Sequence, residues 1–557
     1  MRLLSIAMLS SLLGLAAAIA PPPAHACGGL FCSASQPVNQ AAERILFVEN
    51  GDGTVTAVIE IMYEGPSEKF SWVLPVPGEP EVGISSTTAL DRLQQQTNPL
   101  YQLQTTFSDS CDSDGTKGGR SNSLGGPQAG VDSDDGENGG VAVLSAGTVG
   151  PFDYQVIGVD PELSEPADAA VMWLETEGYD VTALGADVLG PYLANGLNLI
   201  AFRLSKTSMT GSIRPITITY ESERPFIPIR PTAVAANDDM GVMVWVAAGK
   251  RAIPDNYKAL ELNETLIDWF NPMSTYNDVV SEAADEASGQ GFVTELAGPT
   301  APLAGTIVQD FERQAWQNVA TETNLGVLLG AFLQVFRGWD GVNDAIAATV
   351  TLPEGVSAED FIGCIQCYVG EPGVTAEINA VRKELFEKVY KPMLETEQLL
   401  QSRPYVTRLY TTMSAKEMTL DPAFAFNSDL GNVSNVHTAE RTFGCDDSWK
   451  IELPQGDIVY GKPGAVWPMD DMDGQPAALR IMQLSTSGKG EVVKDNAKRI
   501  TQLLKQSDSG DSARFDGDGD DGCSVAQPGS GAPVRGALVL AWLAAAGLLR
   551  ARRRRPT

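Results

Sequence analysis

Histidine is nearly absent from this sequence, and its scarcity removes several kinds of chemistry at once. The chain contains two histidines, and His25 lies in a segment with the features of a cleaved leader. The remaining His437 cannot form an H-E-x-x-H motif or a multi-histidine metal site. The sequence also lacks a G-x-S-x-G motif, which would supply the serine of a Ser-His-Asp triad. We therefore interpret His437 as a polar loop or strand residue.

Basic residues are also few, at 39 Lys and Arg against 71 Asp and Glu, which gives a formal net charge of -32. This charge would repel phosphate backbones and anionic headgroups, so no nucleic-acid partner is expected. A P-loop motif is absent, and no cofactor is predicted. Hydrophobic residues make up 43% of the chain, which is ordinary globular usage and predicts a packed core.

Acidic clusters offer weak metal or catalytic candidates. In Asp516–Gly522 the carboxylates alternate, but the glycine falls one place late for an EF-hand and no Glu stands at the twelfth position. Asp470, Asp471 and Asp473 form a second cluster with the same ambiguity. One aspartic-protease triplet, Asp508–Gly510, stands alone in a polar segment. We assign no catalytic, cofactor-binding or metal residue from the sequence.

The N-terminus has the pattern of a secretory signal peptide over residues 1–26. An Arg follows Met1, an apolar stretch comes next, and an A-x-A site ends at Ala26. We expect cleavage after Ala26, which makes Cys27 the first mature residue. A buried helix and a lipoprotein with acylated Cys27 are the alternatives, although Ala24 stands where a lipobox normally has Leu.

The C-terminus carries a second address. A Gly, Ser and Asp-rich spacer precedes an apolar run, Ala537–Leu549, and a cluster of arginines. This run spans about 20 Å, short of a hydrocarbon core of about 30 Å. Together with Cys523 the segment resembles the myxobacterial-type C-terminal sorting signal (MYXO-CTERM). That resemblance implies processing near Cys523 by an intramembrane-type sorting protease and display on the cell surface. An uncut tail anchor is the alternative.

Cysteines in an exported chain indicate disulfides. With Cys523 set aside for sorting, six candidates remain: Cys27, Cys32, Cys111, Cys364, Cys367 and Cys445. Cys27 and Cys32 would close a loop around two glycines. The C-x-x-C of Cys364 and Cys367 could be a structural disulfide, a redox pair or half of a zinc site, and we favour the first because no second C-x-x-C exists. By elimination Cys111 would pair with Cys445.

The pattern of apolar residues predicts an α+β fold, mainly an antiparallel sheet with packed helices. Thr54–Tyr63 alternates as a half-buried strand, and residues 50–53 (Asn-Gly-Asp-Gly) predict a hairpin with Ile45–Glu49, followed by Phe70–Val76 in a meander. Helical spacing predicts one long helix near residues 375–401, kinked at Pro392. Further strands are expected at Tyr154–Val159, Asn198–Leu204, Ile213–Tyr220 and Val242–Ala247, and helices at Thr88–Gln96, Ala167–Glu177 and Ile307–Val319.

The main body resembles the bacterial domain of unknown function 2330 (DUF2330) family. The resemblance is carried by Cys27–Cys32 (CGGLFC), Pro37–Arg44 and Phe70–Gly78 (FSWVLPVPG), and later by Tyr405–Met413 with Met418–Pro422. It implies export and a cysteine-containing N-terminus. It supplies no activity and no catalytic residue.

These observations predict an exported bacterial protein of the outer membrane or cell surface, anchored through its C-terminal segment. Its predicted partners are the export machinery and a sorting protease. A non-enzymatic binding or structural module is the leading interpretation, and an exported hydrolase with acidic catalytic residues is the alternative. The predicted organisation is a signal peptide (1–26), a main α+β domain (27–445) with a disordered insertion (108–140), a C-terminal α+β extension (446–506), a spacer (507–536), and an apolar segment with a basic tail (537–557).

Overall fold

The computed structural model describes residues 39–64, 71–107, 137–138, 140–179, 185–204, 214–371, 373–444, 448–462, 464, 467–468 and 474–507. About 34% of the residues are helical and 36% lie in strands, with a large, mainly antiparallel sheet, so the α+β class is confirmed. Several predictions lie outside the described residues: the signal peptide, the apolar segment, most of the predicted insertion, and Ala26, Cys27, Cys32, Cys111, Cys445 and Cys523.

The strands, in chain order, are β1 (Asn39–Glu49), β2 (Thr54–Glu64), β3 (Ser71–Val76), β4 (Glu81–Ile84), β5 (Leu100–Phe107), β6 (Glu137–Asn138), β7 (Val141–Val149), β8 (Phe152–Val159), β9 (Asn198–Leu204), β10 (Ile216–Glu221), β11 (Ala236–Ala248), β12 (Arg251–Pro254), β13 (Lys258–Leu262), β14 (Gly291–Pro299), β15 (Val350–Thr351), β16 (Thr375–Ala376), β17 (Tyr405–Met413), β18 (Phe424–Asn427), β19 (Val436–Phe443), β20 (Trp449–Glu452), β21 (Ile458–Gly461), β22 (Ala478–Gln483) and β23 (Glu491–Asp495).

The α-helices are α1 (Thr87–Thr97), α2 (Pro166–Thr176), α3 (Gly185–Ala194), α4 (Tyr276–Glu286), α5 (Asp310–Thr321), α6 (Leu325–Phe336), α7 (Val342–Thr349), α8 (Ala358–Gly363), α9 (Ile365–Tyr368), α10 (Ile378–Leu385), α11 (Lys391–Gln401) and α12 (Ala497–Ser507). Within the described part of the chain, no helix is both long and apolar enough to cross a membrane.

A ten-stranded sheet organises the fold, in the order β23-β22-β13-β14-β17-β11-β1-β2-β10-β4. The predicted β1–β2 hairpin is present, and Gly51 and Gly53 supply the positive φ angles of 78° and 90° that its turn requires. β1 also pairs in parallel with β11, which comes much later in the chain. The sheet is therefore closed at its centre by non-local pairing.

Both faces of this sheet are covered, so the prediction that β2 is half-buried was wrong. Apolar side chains such as Val55 and Ile59 face one core with β3, β8 and β9, while Val58 faces a second core formed with α1 and the helices from α5 to α11. Glu60 on this second face is buried because Arg44 Nε donates to it at 2.7 Å. Glu60, which the sequence pattern places on a polar face, therefore belongs to a buried ion pair with Arg44.

The predicted meander ends at the hairpin. β3 pairs with β9 and not with β2, and it forms one edge of a five-stranded sheet in the order β3-β9-β8-β7-β6. Residues 137 and 138, near the end of the predicted disordered insertion (108–140), form β6 in this sheet. Trp72 on β3 stacks against Phe202 with ring centroids 5.4 Å apart, packed against the first core.

The predicted long helix begins at Ile378, since Thr375 and Ala376 form the short strand β16. It contains a π-helical segment, Phe386–Tyr390, which ends two residues before Pro392, where we predicted a kink. Proline has no amide hydrogen, and the carbonyl of Lys388, four residues before it, accepts from Arg214 Nη2 at 2.9 Å. The helix thus passes the proline by widening one turn.

The predicted C-terminal extension is joined to the rest of the fold. β20 and β21 follow β19 in a four-stranded sheet that β5 completes, while β22 and β23 extend the ten-stranded sheet. α4, α12 and these strands share a third hydrophobic core, which includes Trp269 and Trp449. This C-terminal part meets the main sheet where β13 and β14 end, and the candidate site lies there.

Candidate functional site

Two neighbouring strands separate at one end of the ten-stranded sheet. β13 and β14 are paired in parallel only from Lys258 to Leu260 and from Gly291 to Val293. Beyond that point β14 has a register shift against β17 between Thr294 and Leu296. Such a bulge redirects a side chain and often borders a functional site. The residue at the bulge is Glu295.

Glu295 forms a buried ion pair with Arg408 of β17. Arg408 Nε lies 2.5 Å from Glu295 Oε2, and the two side chains are 2% and 1% exposed. Arg408 Nη1 also donates to the carbonyl of Gln94 and to the side chains of Thr97 and Asn98, at 3.1, 3.0 and 2.9 Å. These acceptors lie at the C-terminal end of α1, where partial negative charge favours a cation. Arg408 thereby links Glu295 to the C-terminal end of α1 and fixes the position of its carboxylate.

Tyr276, the first residue of α4, connects this pair to the cavity. Its hydroxyl donates to Glu295 Oε1 at 2.5 Å. Burial raises the pKa of Glu295, while Arg408 and the Tyr276 hydroxyl act in the opposite direction. The pKa of Tyr276 is raised well above its usual value, first by burial and then by the charge of Glu295. Tyr276 therefore remains a neutral hydrogen-bond donor.

His437 and Glu264 form the other polar pair. His437 Nδ1 lies 2.5 Å from Glu264 Oε1, and the side chains are 26% and 12% exposed. A carboxylate only accepts hydrogen bonds, so Nδ1 carries the proton and donates. Glu264 begins a short 3-10 turn after β13, which Asn263 caps by accepting from the amide of Thr265. The interpretation of His437 as a strand residue is consistent with its place in β19, but its partner was not foreseen.

Tyr101 of β5 brings the two pairs together. It lies opposite His437 in the parallel β5–β19 pairing, and the two rings stack with centroids 4.7 Å apart and planes 18° apart. Trp269 holds the tyrosine edge-to-face at 4.9 Å. Burial raises the pKa of Tyr101, and the charges of Glu264 and Glu295 raise it further. Its hydroxyl thus lies in the field of both carboxylates.

These side chains line a cavity of about 770 Å³, which we call the Tyr101 cavity. That volume lies within the range of small-molecule sites, about 300–1,000 Å³. Apolar side chains from β13, β22, β23 and the loop after β18 complete the wall: Leu260, Leu262, Leu430, Met482, Leu484 and Val492. A mainly apolar wall with a few fixed polar groups is the usual composition of a ligand pocket.

Apart from Glu295 Oε2, which Arg408 Nε contacts as an ion pair, two buried polar atoms of this lining have no hydrogen-bond partner among the described residues. One is Glu264 Oε2, the carboxylate oxygen that His437 does not contact. The other is Nε of Arg251, whose Nη1 donates to the carbonyl of Gly431 at 2.8 Å. An unsatisfied buried polar group is costly, so a native structure that holds two in one cavity suggests that a ligand or water completes them.

A second cavity, of about 670 Å³, lies between the β4–β10 edge and α11. Its described lining mixes polar and apolar side chains and includes Lys391, which pairs with Glu387 at 2.9 Å and with Glu395 at 3.8 Å. No aromatic side chain is among the described residues that line it. The Tyr101 cavity is therefore the better candidate.

The sequence-predicted candidates lie elsewhere. Cys364 and Cys367 are joined by a disulfide between α8 and α9. The acidic clusters at 470–473 and 516–522 and the triplet at 508–510 lie outside the described residues. Within the described part, no group of three or more His, Cys, Asp or Glu side chains is placed to hold a metal ion.

Sequence reasoning did not identify Glu264, Glu295 or Arg408. One signal was available, since Glu295 and Arg408 each interrupt an otherwise uncharged strand, and a charge within such a strand indicates a buried pair. Glu264 gives no such signal, because it follows its strand in a turn. Its role depends on His437, which is 173 residues away in the chain.

Comparison with known proteins gives one match. A family model described as "Uncharacterized protein conserved in bacteria (DUF2330)" matches residues 21–314. No curated protein and no solved structure matches the chain. The matched range includes Tyr101, Glu264 and Glu295, whereas Arg408 and His437 lie beyond it. The stretch from 405 to 422 that resembles the family in sequence also lies beyond it, so the cavity combines residues from inside and outside the matched range.

Proposed function

The chain belongs to the DUF2330 family of uncharacterised conserved bacterial proteins. We propose that it is an exported binding module. It is anchored at the outer membrane or cell surface through its C-terminal segment, and it binds a small molecule in the Tyr101 cavity. The N-terminal signal pattern, the Cys523 segment and the arginine cluster support the first part of this proposal. The cavity supports the second.

The observation that carries the binding function is the fixed polar chain along the cavity wall. Arg408 holds Glu295, Glu295 accepts from Tyr276, and Tyr101 stacks on the His437–Glu264 pair. Each group is held by a strand, a capped turn or a helix end, so little conformational entropy is lost when a ligand arrives. Preorganised polar groups in a mainly apolar cavity are what a specific binding site requires.

Binding is tested by differential scanning fluorimetry of the full chain against a small-molecule library. A Val433→Trp variant serves as the blocked control, because Val433 lines the cavity and makes only backbone bonds to Ala297, at 2.8 and 2.9 Å. Compounds that bind in the cavity should raise the Tm of the wild type and leave the variant unchanged. Equal shifts in both proteins, or none in either, would contradict a site in this cavity.

Export and anchoring are tested by intact-mass analysis of the protein released from the cell surface. The proposal requires a mature N-terminus at Cys27 and either a processed end near Cys523 or an intact anchor. A cytoplasmic protein that retains residues 1–26 would overturn this part of the proposal and leave the binding site untouched.

A second candidate, an exported hydrolase, is favoured by one observation, because Glu264 and Glu295 are two carboxylates lining a single cavity. Glu295, however, is bound at Oε1 by Tyr276 and at Oε2 by Arg408, which leaves Glu264 with His437 as the free acid-base pair. Mass spectrometry of each bound compound after incubation distinguishes the two functions. A binding module returns the compound unchanged, and a hydrolase cleaves it in the wild type but not in Glu264→Gln.

A further inference from the structure

The unsatisfied atoms of the Tyr101 cavity have opposite charge and opposite hydrogen-bonding roles. Glu264 Oε2 only accepts hydrogen bonds, so the group that completes it has to be a donor. Arg251 Nε only donates, so its complement has to be an acceptor. A single ligand that satisfies both needs a donor and an acceptor, and charged groups serve best because charge-assisted bonds are the stronger ones.

Most of the other charged groups of the lining already have partners, and Lys489, which also lines the cavity, is exposed. Arg480 contacts Glu261 at 2.8 Å and Asp495 at 3.3 Å. Asp429 accepts from the amide of Gly488 at 2.7 Å. Glu295 is paired with Arg408. Within the described lining, the Glu264 oxygen and the Arg251 nitrogen are thus the buried charged atoms that a ligand would complete.

The wall that these two groups share is largely aliphatic. Leu260, Leu262 and Leu484 come from the sheet side, and Leu430 comes from the loop after β18. Burial of an aliphatic side chain against such a wall favours binding. The ligand therefore combines two charged ends with an apolar body.

Building on the proposed function, we infer that the Tyr101 cavity binds a short apolar peptide with free ends. Its amino terminus donates to Glu264 Oε2, its carboxylate accepts from Arg251 Nε, and its aliphatic side chains pack on the leucines. The cavity volume of about 770 Å³ has room for two or three residues. Capture of a terminal amine or carboxylate by fixed polar groups is a recurrent mode of peptide recognition.

The inference is tested by isothermal titration of the full chain with Leu-Ala-Leu in four forms: both ends free, N-acetylated, C-amidated and blocked at both ends. Each free end contributes a charge-assisted bond, so blocking either end should weaken binding about 10-fold to 100-fold. The doubly blocked peptide should bind more weakly than either singly blocked form. This comparison uses only the wild-type protein and does not depend on the folding of any variant.

Two variants assign each end to its residue. Glu264→Gln should lower the affinity for the peptide with both ends free and leave the affinity for the N-acetylated form unchanged. Arg251→Gln should lower the affinity for the peptide with both ends free and leave the affinity for the C-amidated form unchanged. Glu354→Gln and Arg337→Gln are the matched controls, because both residues are exposed and neither they nor their neighbours in the chain line the cavity, so they should not alter any of the four affinities.

The outcomes separate this inference from the proposed function. If all four peptides bind equally, and Val433→Trp abolishes that binding, the cavity is a binding site but the recognition of charged ends is refuted. If no peptide binds while other library compounds are bound and blocked by Val433→Trp, the peptide class is refuted alone. If nothing binds, both proposals fail.

Discussion

Replacement of Arg408 by methionine is the most direct test of the polar chain behind the cavity. The change leaves Glu295 as a buried carboxylate with no counter-charge, and removal of one partner of a buried ion pair costs about 3–5 kcal/mol. It also removes the three bonds from Nη1 to the end of α1. We therefore expect Arg408→Met to lower the free energy of unfolding by about 5 kcal/mol at pH 7.

The loss should depend on pH in a direction that the structure fixes. Burial already raises the pKa of Glu295 in the folded protein, and Arg408 counteracts this rise. Without Arg408 the folded pKa of Glu295 rises further above its unfolded value. The stability this carboxyl contributes is then fully present below its unfolded pKa and is lost as pH rises through the folded value. The deficit of Arg408→Met should be smallest near pH 4.5 and largest at pH 8.

Urea unfolding followed by circular dichroism at pH 4.5, 7 and 8 measures this effect. The matched control is the double variant Arg408→Met with Glu295→Met, which removes both charges and should recover at least about 2 kcal/mol relative to Arg408→Met alone. A single variant that loses less than about 1 kcal/mol at pH 7, or a double variant no more stable than the single one, would refute the reasoning.

Three further predictions follow from buried or crowded groups. Gly461→Ala should lower the free energy of unfolding by about 1–3 kcal/mol, since the new Cβ would lie 2.0 Å from Trp449 Cζ2; Gly249→Ala, with no heavy atom within 4 Å, is the control, and equal urea midpoints would be evidence against this packing. Burial raises the pKa of Glu43 to about 7, so wild type should lose up to about 3 kcal/mol relative to Glu43→Gln as pH rises from 5 to 8, and a pH-independent difference in unfolding free energy would argue against it. The double variant Cys364→Ser with Cys367→Ser should lose about 2 kcal/mol by urea unfolding, and alkylation of both thiols in the unreduced wild type would show that the disulfide is absent.

Local patterns predicted the elements that depend on neighbouring residues. The β1–β2 hairpin follows from alternation and from two glycines that accept positive φ, and β9 lies at Asn198–Leu204 as its pattern indicated. What local pattern could not supply was the covering of the second sheet face. Apart from α1, the helices of the core that buries Val58 come more than 200 residues later, so the sequence around β2 predicts an exposed polar face where Glu60 is buried.

The candidate site was out of reach for a similar reason. His437 was correctly expected to be isolated in sequence, and its chemistry comes from Glu264 and Tyr101, which other parts of the chain supply. Parallel pairing of β5 with β19 places the tyrosine beside the histidine, and no short-range signal specifies that pairing. In the long helix, likewise, the local pattern did not reveal the π-helical turn before Pro392 or the hydrogen bond from the distant Arg214 to the carbonyl of Lys388.

The position of β1 in the large sheet constrains how the polypeptide matures. Its hairpin partner β2 is adjacent in the chain, but its other neighbour, β11, is made much later, and β17 beyond it later still. Until then one side of the hairpin presents unpaired amides and carbonyls that could pair with another nascent chain. Closure has to wait for these late strands, a topology associated with slow folding. A chaperone that binds the unfolded chain therefore has to cover the unpaired edge of β1 until the later strands pair with it.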